Sequence, residues 1–107
     1  MDTEFEDAVR ILLIQVPRGT VTSYSQLAKL AGYPGYARHV GRLLSQLPDD
    51  SKLPWHRVVT ASREISRRGT LAAAIQKQLL RAEGVALKGD RVDPALLWVP
   101  DWKPSGR

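Results

Sequence analysis

The chain has 107 residues with 43% hydrophobic content, which predicts one domain over 1–107 with a single core and is too apolar for a disordered tail. It has no cysteine, which excludes a disulfide framework, a zinc–thiolate site, an iron–sulfur cluster and a thiol nucleophile. The net charge is +5, no apolar run reaches the roughly 20 residues of a membrane span, and the acidic start Met1-Asp2-Thr3-Glu4 does not read as a secretory signal, so a small soluble intracellular domain is expected.

Phe5, Val9, Leu12 and Leu13 recur at spacings of three and four. They predict an amphipathic helix from Thr3 to Gln15, acidic in its first turn where the helix dipole favours it. Pro17-Arg18-Gly19 ends that helix, and Val21-Thr22 is a short extended link. Ser23 or Ser25 caps a second helix to Ala31, with Leu27, Ala28, Leu30 and Ala31 inside. Gly32-Tyr33-Pro34-Gly35 breaks the chain. A third helix, Tyr36 to Leu47, puts Val40, Leu43, Leu44 and Leu47 on one face and Arg38, Arg42 and Ser45 on others. Residues 48–54 form a loop, Val58-Val59 is β-like, and 61–69 reads as a loop with little core character. Thr70 caps a final helix to Glu83, closed by Gly84, with Leu71, Ala74, Ile75, Leu79 and Leu80 inside. Residues 85–92 read as a small hairpin turning at Gly89. The tail, 94–107, contains Trp98 and Trp102 and is expected to pack on the body or to be partly mobile.

Charge is unevenly placed. Residues 1–35 sum to −1, residues 36–81 to +6, and residues 82–107 to zero, with four charges of each sign. A basic block suits a polyanion on one face, and an Arg-rich solvated surface accounts for it equally well. Helix, Gly-containing turn and basic helix make the helix-turn-helix layout, which an ordinary antiparallel helix pair shares. Gly41 within the basic helix costs about 1 kcal/mol relative to Ala, which points to close approach of another backbone, a nucleic-acid one included.

Little else carries chemistry. Two His, no Cys and no clustered carboxylates leave metal binding and cofactors without a case. No Gly-rich loop cradles phosphate and no Ser sits in a Gly-x-Ser-x-Gly turn. His56 and Glu83 make an acid–base pair if the fold joins them, but no nucleophile lies nearby, and a structural hydrogen bond is the better reading.

The segment Pro54-Trp55-His56-Arg57-Val58-Val59 resembles the Pro-Cys-His-Arg-Val segment of the DNA alkyltransferases that repair O6-alkylguanine. Three further stretches agree in order: 19–28, Ala37-Arg38-His39-Val40-Gly41, and 79–85. The resemblance covers about residues 5–85 and implies a mainly α, winged helix-turn-helix-like domain with a small hairpin near its C-terminus. It departs at position 55, where Trp replaces the alkyl-accepting Cys. The chain therefore resembles the alkyltransferase-like proteins, which bind the lesion without repairing it and lack the large N-terminal domain of many transferases.

That resemblance implies roles. Tyr24 displaces the phosphate 3′ to the flipped nucleotide, and Arg38 fills the gap in the base stack. Ser25, Ala37, Gly41 and Arg42 belong to the DNA-binding face. Trp55, His56, Arg57, Val58, Arg67 and Arg68 belong to the lesion pocket, with Arg67 and Arg68 touching either the flipped base or, the better reading, phosphates. Leu47 stands where transferases often have an Asn. The expected partners are double-stranded DNA containing O6-alkylguanine and nucleotide excision repair proteins, with no membrane. A monomer is expected, cytoplasmic and nucleoid-associated if bacterial or nuclear if eukaryotic.

Taken singly, Tyr24 reads equally as a packing residue, Arg38 as an exposed Arg and Trp55 as core. Besides a lesion-binding protein, three functions compete: a helix-turn-helix transcription regulator, an active alkyltransferase-type enzyme with another acceptor, and an adaptor that binds no DNA.

Overall fold

A computed structural model of the chain describes residues 3–48, 50–66 and 69–100. The first helix, α1 (Thr3–Gln15), buries Phe5, Val9, Leu12 and Leu13, the residues its periodicity selects. The second, α2 (Tyr24–Leu30), starts at Ser23, whose Oγ accepts from Gln26 N at 3.1 Å, so the cap is Ser23 and not Ser25. It ends where Gly32 N donates to Lys29 O at 3.0 Å and Tyr33 N to Ala28 O at 2.9 Å. That paired closure needs a left-handed residue, and Gly32 supplies it at φ +91°.

The third helix, α3 (Ala37–Ser45), is shorter than expected at both ends. Tyr36 is its cap residue and Leu47 lies beyond its Gln46 cap, half-buried. Leu27 and Ala28 of α2 and Val40 and Leu43 of α3 close over the α1 face to form one buried cluster. Leu30, Ala31 and Leu44 reach it only partly buried.

A two-residue ladder divides the molecule. Strand β1 (Thr22–Ser23) runs parallel to β2 (Val58–Val59), with Thr22 opposite Val58 and Ser23 opposite Val59. Strand neighbours point to opposite faces. Val58 therefore joins the helical cluster, while Val59 joins a second buried cluster with Val21, Ile65, Ala73, Leu80, Val85 and Val92. The expectation of one core is corrected: one domain carries two, joined through β2.

The fourth helix, α4 (Leu71–Ala82), is capped by Thr70 Oγ1, which accepts from Ala73 N at 3.2 Å. Its buried face is Ala73, Gln76 and Leu80. Leu71, Ala74, Ile75 and Leu79, expected inside, are exposed, Leu71 at 77%. Two faces of this helix satisfy the 3.6 period, and the polar tether of Gln76 to the β2 segment selects the less apolar one. Gly84 (φ +85°) closes the helix as Gly32 closes α2, with Gly84 N on Arg81 O and Val85 N on Leu80 O, both 3.0 Å.

The segment 60–66 also departs from the expected plain loop. Thr60 N donates to Glu64 O, and Glu64 N to Thr60 Oγ1, around a turn in which Arg63 takes φ 66°. Ile65, 1% exposed, donates its N–H to Asp90 O, and Glu64 bridges to Arg91. The segment thus lies along the hairpin of β3 (Leu87–Lys88) and β4 (Arg91–Val92). After the hairpin, Leu96 O and Trp98 N bracket Val21, and Trp98 packs on the helical cluster. Trp102 and the rest of the tail lie outside the described residues.

Candidate nucleic-acid interface

Two features built by this scaffold meet at one cleft. The start of α2 places Tyr24 across Gly41 of α3. A Cβ built on Gly41 would lie 3.9 Å from Tyr24 Cδ1 and Cε1, an ordinary contact. Within the chain, the close neighbour of Gly41 is therefore a tyrosine ring and not another backbone segment. The Tyr24 hydroxyl lies 2.8 Å from Ser66 Oγ, which ties α2 to the 60–66 segment.

The cleft encloses about 390 Å³, counting its open mouth. Tyr24, Gly41, Leu44, Ser45 and Trp55 form part of its wall, and Ser66, Ala72, Ala73 and Gln76 complete it. Among the described residues, no charged side chain lines it. Arg38 is exposed on the first turn of α3, three residues before Gly41 and so on the same helix face. No described residue pairs with it. Arg42 is exposed one position past Gly41, and Ala37 and Ser25 lie on the first turns of α3 and α2, with Ser25 Oγ 3.2 Å from Ser23 Oγ.

The residues assigned to a lesion pocket separate. Trp55 lines the cleft from a 3-10 turn, Trp55–Arg57, half-buried and with its ring edge-on to His56. Val58 is fully buried in the helical cluster, so its side chain is core and not pocket wall. His56 and Arg57 turn to Glu83. His56 Nε2 lies 2.8 Å from Glu83 Oε2, Arg57 Nε donates to Oε1 at 2.9 Å, Nη2 to Oε2 at 2.7 Å, and Nη1 to Val16 O at 2.7 Å. Arg57 is thus a clamp between the end of α1 and the cap of α4, which corrects its placement in the pocket. Arg67 and Arg68 lie outside the described residues.

The Arg57 guanidinium holds the Glu83 carboxyl at about 2, below its ordinary 4.5; burial opposes the shift and His56 adds to it. An ionised carboxylate only accepts, so the Nε2 of His56 carries the hydrogen in this bond. The structural hydrogen bond expected between His56 and Glu83 is thus present, with Arg57 as a third member of the network.

The basic block is less free than its sum. Of its nine cations, Arg57 is paired with Glu83 and Lys77 with Asp90, both acids outside residues 36–81. Arg38, Arg42, Lys52 and Arg81 are exposed.

Sequence reasoning missed Leu44, Ser66, Ala72, Ala73 and Gln76 as wall residues, and Ser45 it read only as off the apolar face. Gln76 left one trace: it lies four residues before the buried Leu80, so a polar group falls on an inward register.

Gly41→Ala follows from this geometry. The added methyl fits beside Tyr24, and the helix gains about 1 kcal/mol, so the melting temperature rises by about 4–8 °C. The same methyl intrudes on the cleft, so affinity for modified DNA falls. Thermal melts and a binding titration check both halves; unchanged affinity removes Gly41 from the interface.

Residues 4–85 match the family profile described as 6-O-methylguanine DNA methyltransferase, DNA binding domain. The chain is 54% identical over 71 residues to a DNA base-flipping protein of Vibrio parahaemolyticus, covering 66% of this chain and 70% of that one. It is 35% identical to alkyltransferase-like protein 1 of Schizosaccharomyces pombe, over 94% of this chain and 96% of that one. The crystal structure of that protein with DNA containing O6-carboxymethylguanine superposes with a TM-score of 0.86, at 32% identity, over 94% of this chain and 99% of the other. The O6-methylguanine methyltransferase of Mycobacterium tuberculosis superposes at 0.66 and 32% identity, over 78% of this chain and 50% of its own.

Proposed function

Because the chain belongs to the 6-O-methylguanine DNA methyltransferase DNA-binding-domain family, we propose that it binds O6-alkylguanine in duplex DNA from the minor groove, flips the nucleotide into the Trp55 cleft and transfers nothing. The observation that carries this reading is Trp55 on the wall of the cleft, in the Pro-Trp-His-Arg segment where transferases have Cys. Alkyl transfer needs a thiolate. An indole offers an N–H and no free lone pair, and the 107 residues contain no cysteine. His56 is bonded to Glu83, and Glu83 to Arg57, with no thiol for them to activate.

Binding follows from the remaining parts. Flipping requires a side chain to take the place of the base, a pocket to receive it, and a helix against the backbone. Arg38 is exposed on the helix face of the cleft, and a planar guanidinium stacks between bases. Tyr24, on the cleft wall, is the residue proposed to rotate the phosphate. Trp55, Leu44, Ala72 and Ala73 give apolar wall for an alkyl group. O6-alkylation weakens pairing with cytosine, which lowers the cost of flipping that base. A lesion bound but not repaired must be removed by another activity, and nucleotide excision repair is the one proposed.

The test is a titration of short duplexes, with and without one O6-methylguanine carrying a labelled methyl, at two salt concentrations. Affinity for both duplexes falls steeply with salt, because exposed cations replace counterions on phosphate. The ratio between the duplexes changes far less, and the label stays on the DNA. Stoichiometric label on the protein, or equal affinity for both duplexes, overturns the proposal.

A further inference from the structure

The apolar spacing of α4 assigns Leu71, Ala74, Ile75 and Leu79 to a core, yet all four are exposed, Leu71 at 77%, Ile75 at 40% and Leu79 at 37%. At 3.6 residues per turn, Leu71, Ile75 and Ala82 fall on one line of the helix, with Ala74 and Leu79 on either side of it. That line is opposite the buried Ala73, Gln76 and Leu80. Exposed apolar side chains scattered singly are ordinary; a stripe along a whole helix marks an interaction surface. The helix is also charged with one sign only. From Leu71 to Ala82 it holds Lys77 and Arg81 and no acid. These two lie a turn apart on one flank of the stripe. A groove of about 670 Å³, counting its open mouth, runs there and is lined by Gly69, Thr70, Ala73, Ala74, Lys77 and Arg81. Lys77 is paired with Asp90 of the hairpin, whereas Arg81 is exposed and pairs with no described residue.

We propose that this face of α4 docks an acidic amphipathic helix of another protein, whose apolar side chains meet Leu71, Ile75 and Leu79 and whose carboxylates meet Arg81 along the groove. This rests on the lesion-binding reading above, in which the bound lesion is left for another activity to remove. Charge chooses the occupant. A second copy docked through the same helix about a two-fold axis brings the same flank of both copies together, so Lys77 and Arg81 meet their own equivalents with no acid on the helix to relieve them. Duplex DNA suits the cations but sets phosphates against the leucines and isoleucine, and the apolar stripe gains nothing. Residues 101–107 bring two cations and one acidic side chain, which do not complement Arg81. An acidic helix answers both the stripe and the cations. It also leaves the lesion site open, because α4 turns Ala72, Ala73 and Gln76 to the cleft and the stripe away from the body.

The probes are two labelled synthetic amphipathic helical peptides with the same leucine stripe, flanked by glutamate in one and by lysine in the other. The free chain binds the glutamate peptide about three- to fivefold more tightly than the lysine peptide. It also binds the glutamate peptide when it sits on an O6-methylguanine duplex. Ile75→Gln weakens the glutamate peptide about tenfold and leaves affinity for the duplex unchanged. Leu71→Gln does the same and serves where the first variant does not fold, as thermal melts report. Arg81→Gln brings the ratio of the two peptides to about one, whereas Lys52→Gln, which removes the same charge elsewhere, leaves it as it was. Folded stripe variants that keep full peptide affinity, or a wild-type ratio near one, overturn the proposal. So does a wild-type dimer in sedimentation that Ile75→Gln dissociates, which gives the face to a second copy. Loss of duplex affinity in Ile75→Gln gives it to DNA, and tighter peptide binding after removal of residues 101–107 gives it to the tail; both overturn the proposal. Equal affinity for modified and unmodified duplex overturns the lesion-binding reading, while the peptide titrations of the free chain decide the docking face separately.

Discussion

Glu83→Gln lowers stability by about 2–3 kcal/mol at neutral pH, a fall in melting temperature of about 10–20 °C for a domain of this size. The reason is the company of the carboxylate. Its side chain is 7% exposed and takes three bonds, two from Arg57 and one from His56, whose side chains are 15% and 12% exposed. A glutamine of the same shape removes the charge and leaves Arg57 a cation with no counter-ion in a mostly buried site. Three chain segments meet there: the end of α1 through Val16 O, the 3-10 turn before β2, and the cap of α4. Arg18 adds a tie between the first and last of these, Nη2 to Ala82 O at 2.9 Å. The loss is therefore global, and it is read by urea or thermal unfolding.

The same network sets an acid limit. Glu83 ionises at about 2 in the folded chain against an ordinary 4.5, because Arg57 stabilises the charged form. Between those values the unfolded chain holds the proton and the folded one does not, so folding is increasingly opposed as pH falls. The contribution is complete above about 4.5 and is lost as the pH drops through about 2. Glu83→Gln has no such slope, so the gap in stability between it and the wild type closes across that window. A gap that stays constant from pH 7 to pH 2.5 contradicts the assignment.

How far the chain was legible before its structure depends on which force decided each element. Helices α1 and α2 followed their apolar spacing and their caps, because local periodicity and burial agree there. The His56–Glu83 contact was anticipated as a structural hydrogen bond, but Arg57 as its third member was not, since nothing in a single sequence says which neighbouring Arg turns inward. On α4 the period was read correctly and the face wrongly. Ala73, Gln76 and Leu80 go inside because Gln76 finds two carbonyls of the Trp55–β2 segment, a long-range partner that spacing does not encode. Ile65 gave no local signal either; it is buried because its strand-like segment lies along β4, closed by an Arg63 in a left-handed conformation that favours glycine. At the site, Tyr24, Arg38, Gly41 and Trp55 came from motif resemblance; that Tyr24, Gly41 and Trp55 line one cleft, with Arg38 exposed one turn before Gly41 on α3, came only from the fold.

Arg38→Ala weakens binding to an O6-methylguanine duplex by about 10- to 100-fold and leaves stability within about 0.5 kcal/mol. The two halves are separable because Arg38 is exposed and pairs with no described residue. Its removal cannot disturb the helical cluster, whereas in a complex it leaves an unfilled gap of one unstacked base step, worth a few kcal/mol. Tyr24→Phe is its counterpart. The ring stays packed against Gly41, and what goes is the hydroxyl bonded to Ser66 Oγ. Its effect falls on the step that rotates the phosphate, so extrusion of the base is hindered while encounter with DNA, set by exposed cations, is nearly unchanged. A fluorescent base analogue at the lesion position reports both. It brightens with the wild-type chain as the base leaves the stack, and it brightens much less with either variant. Equal brightening with all three removes Tyr24 and Arg38 from the flipping step. A loss of affinity in Arg38→Ala that is the same for undamaged duplex reduces that residue to one more phosphate contact.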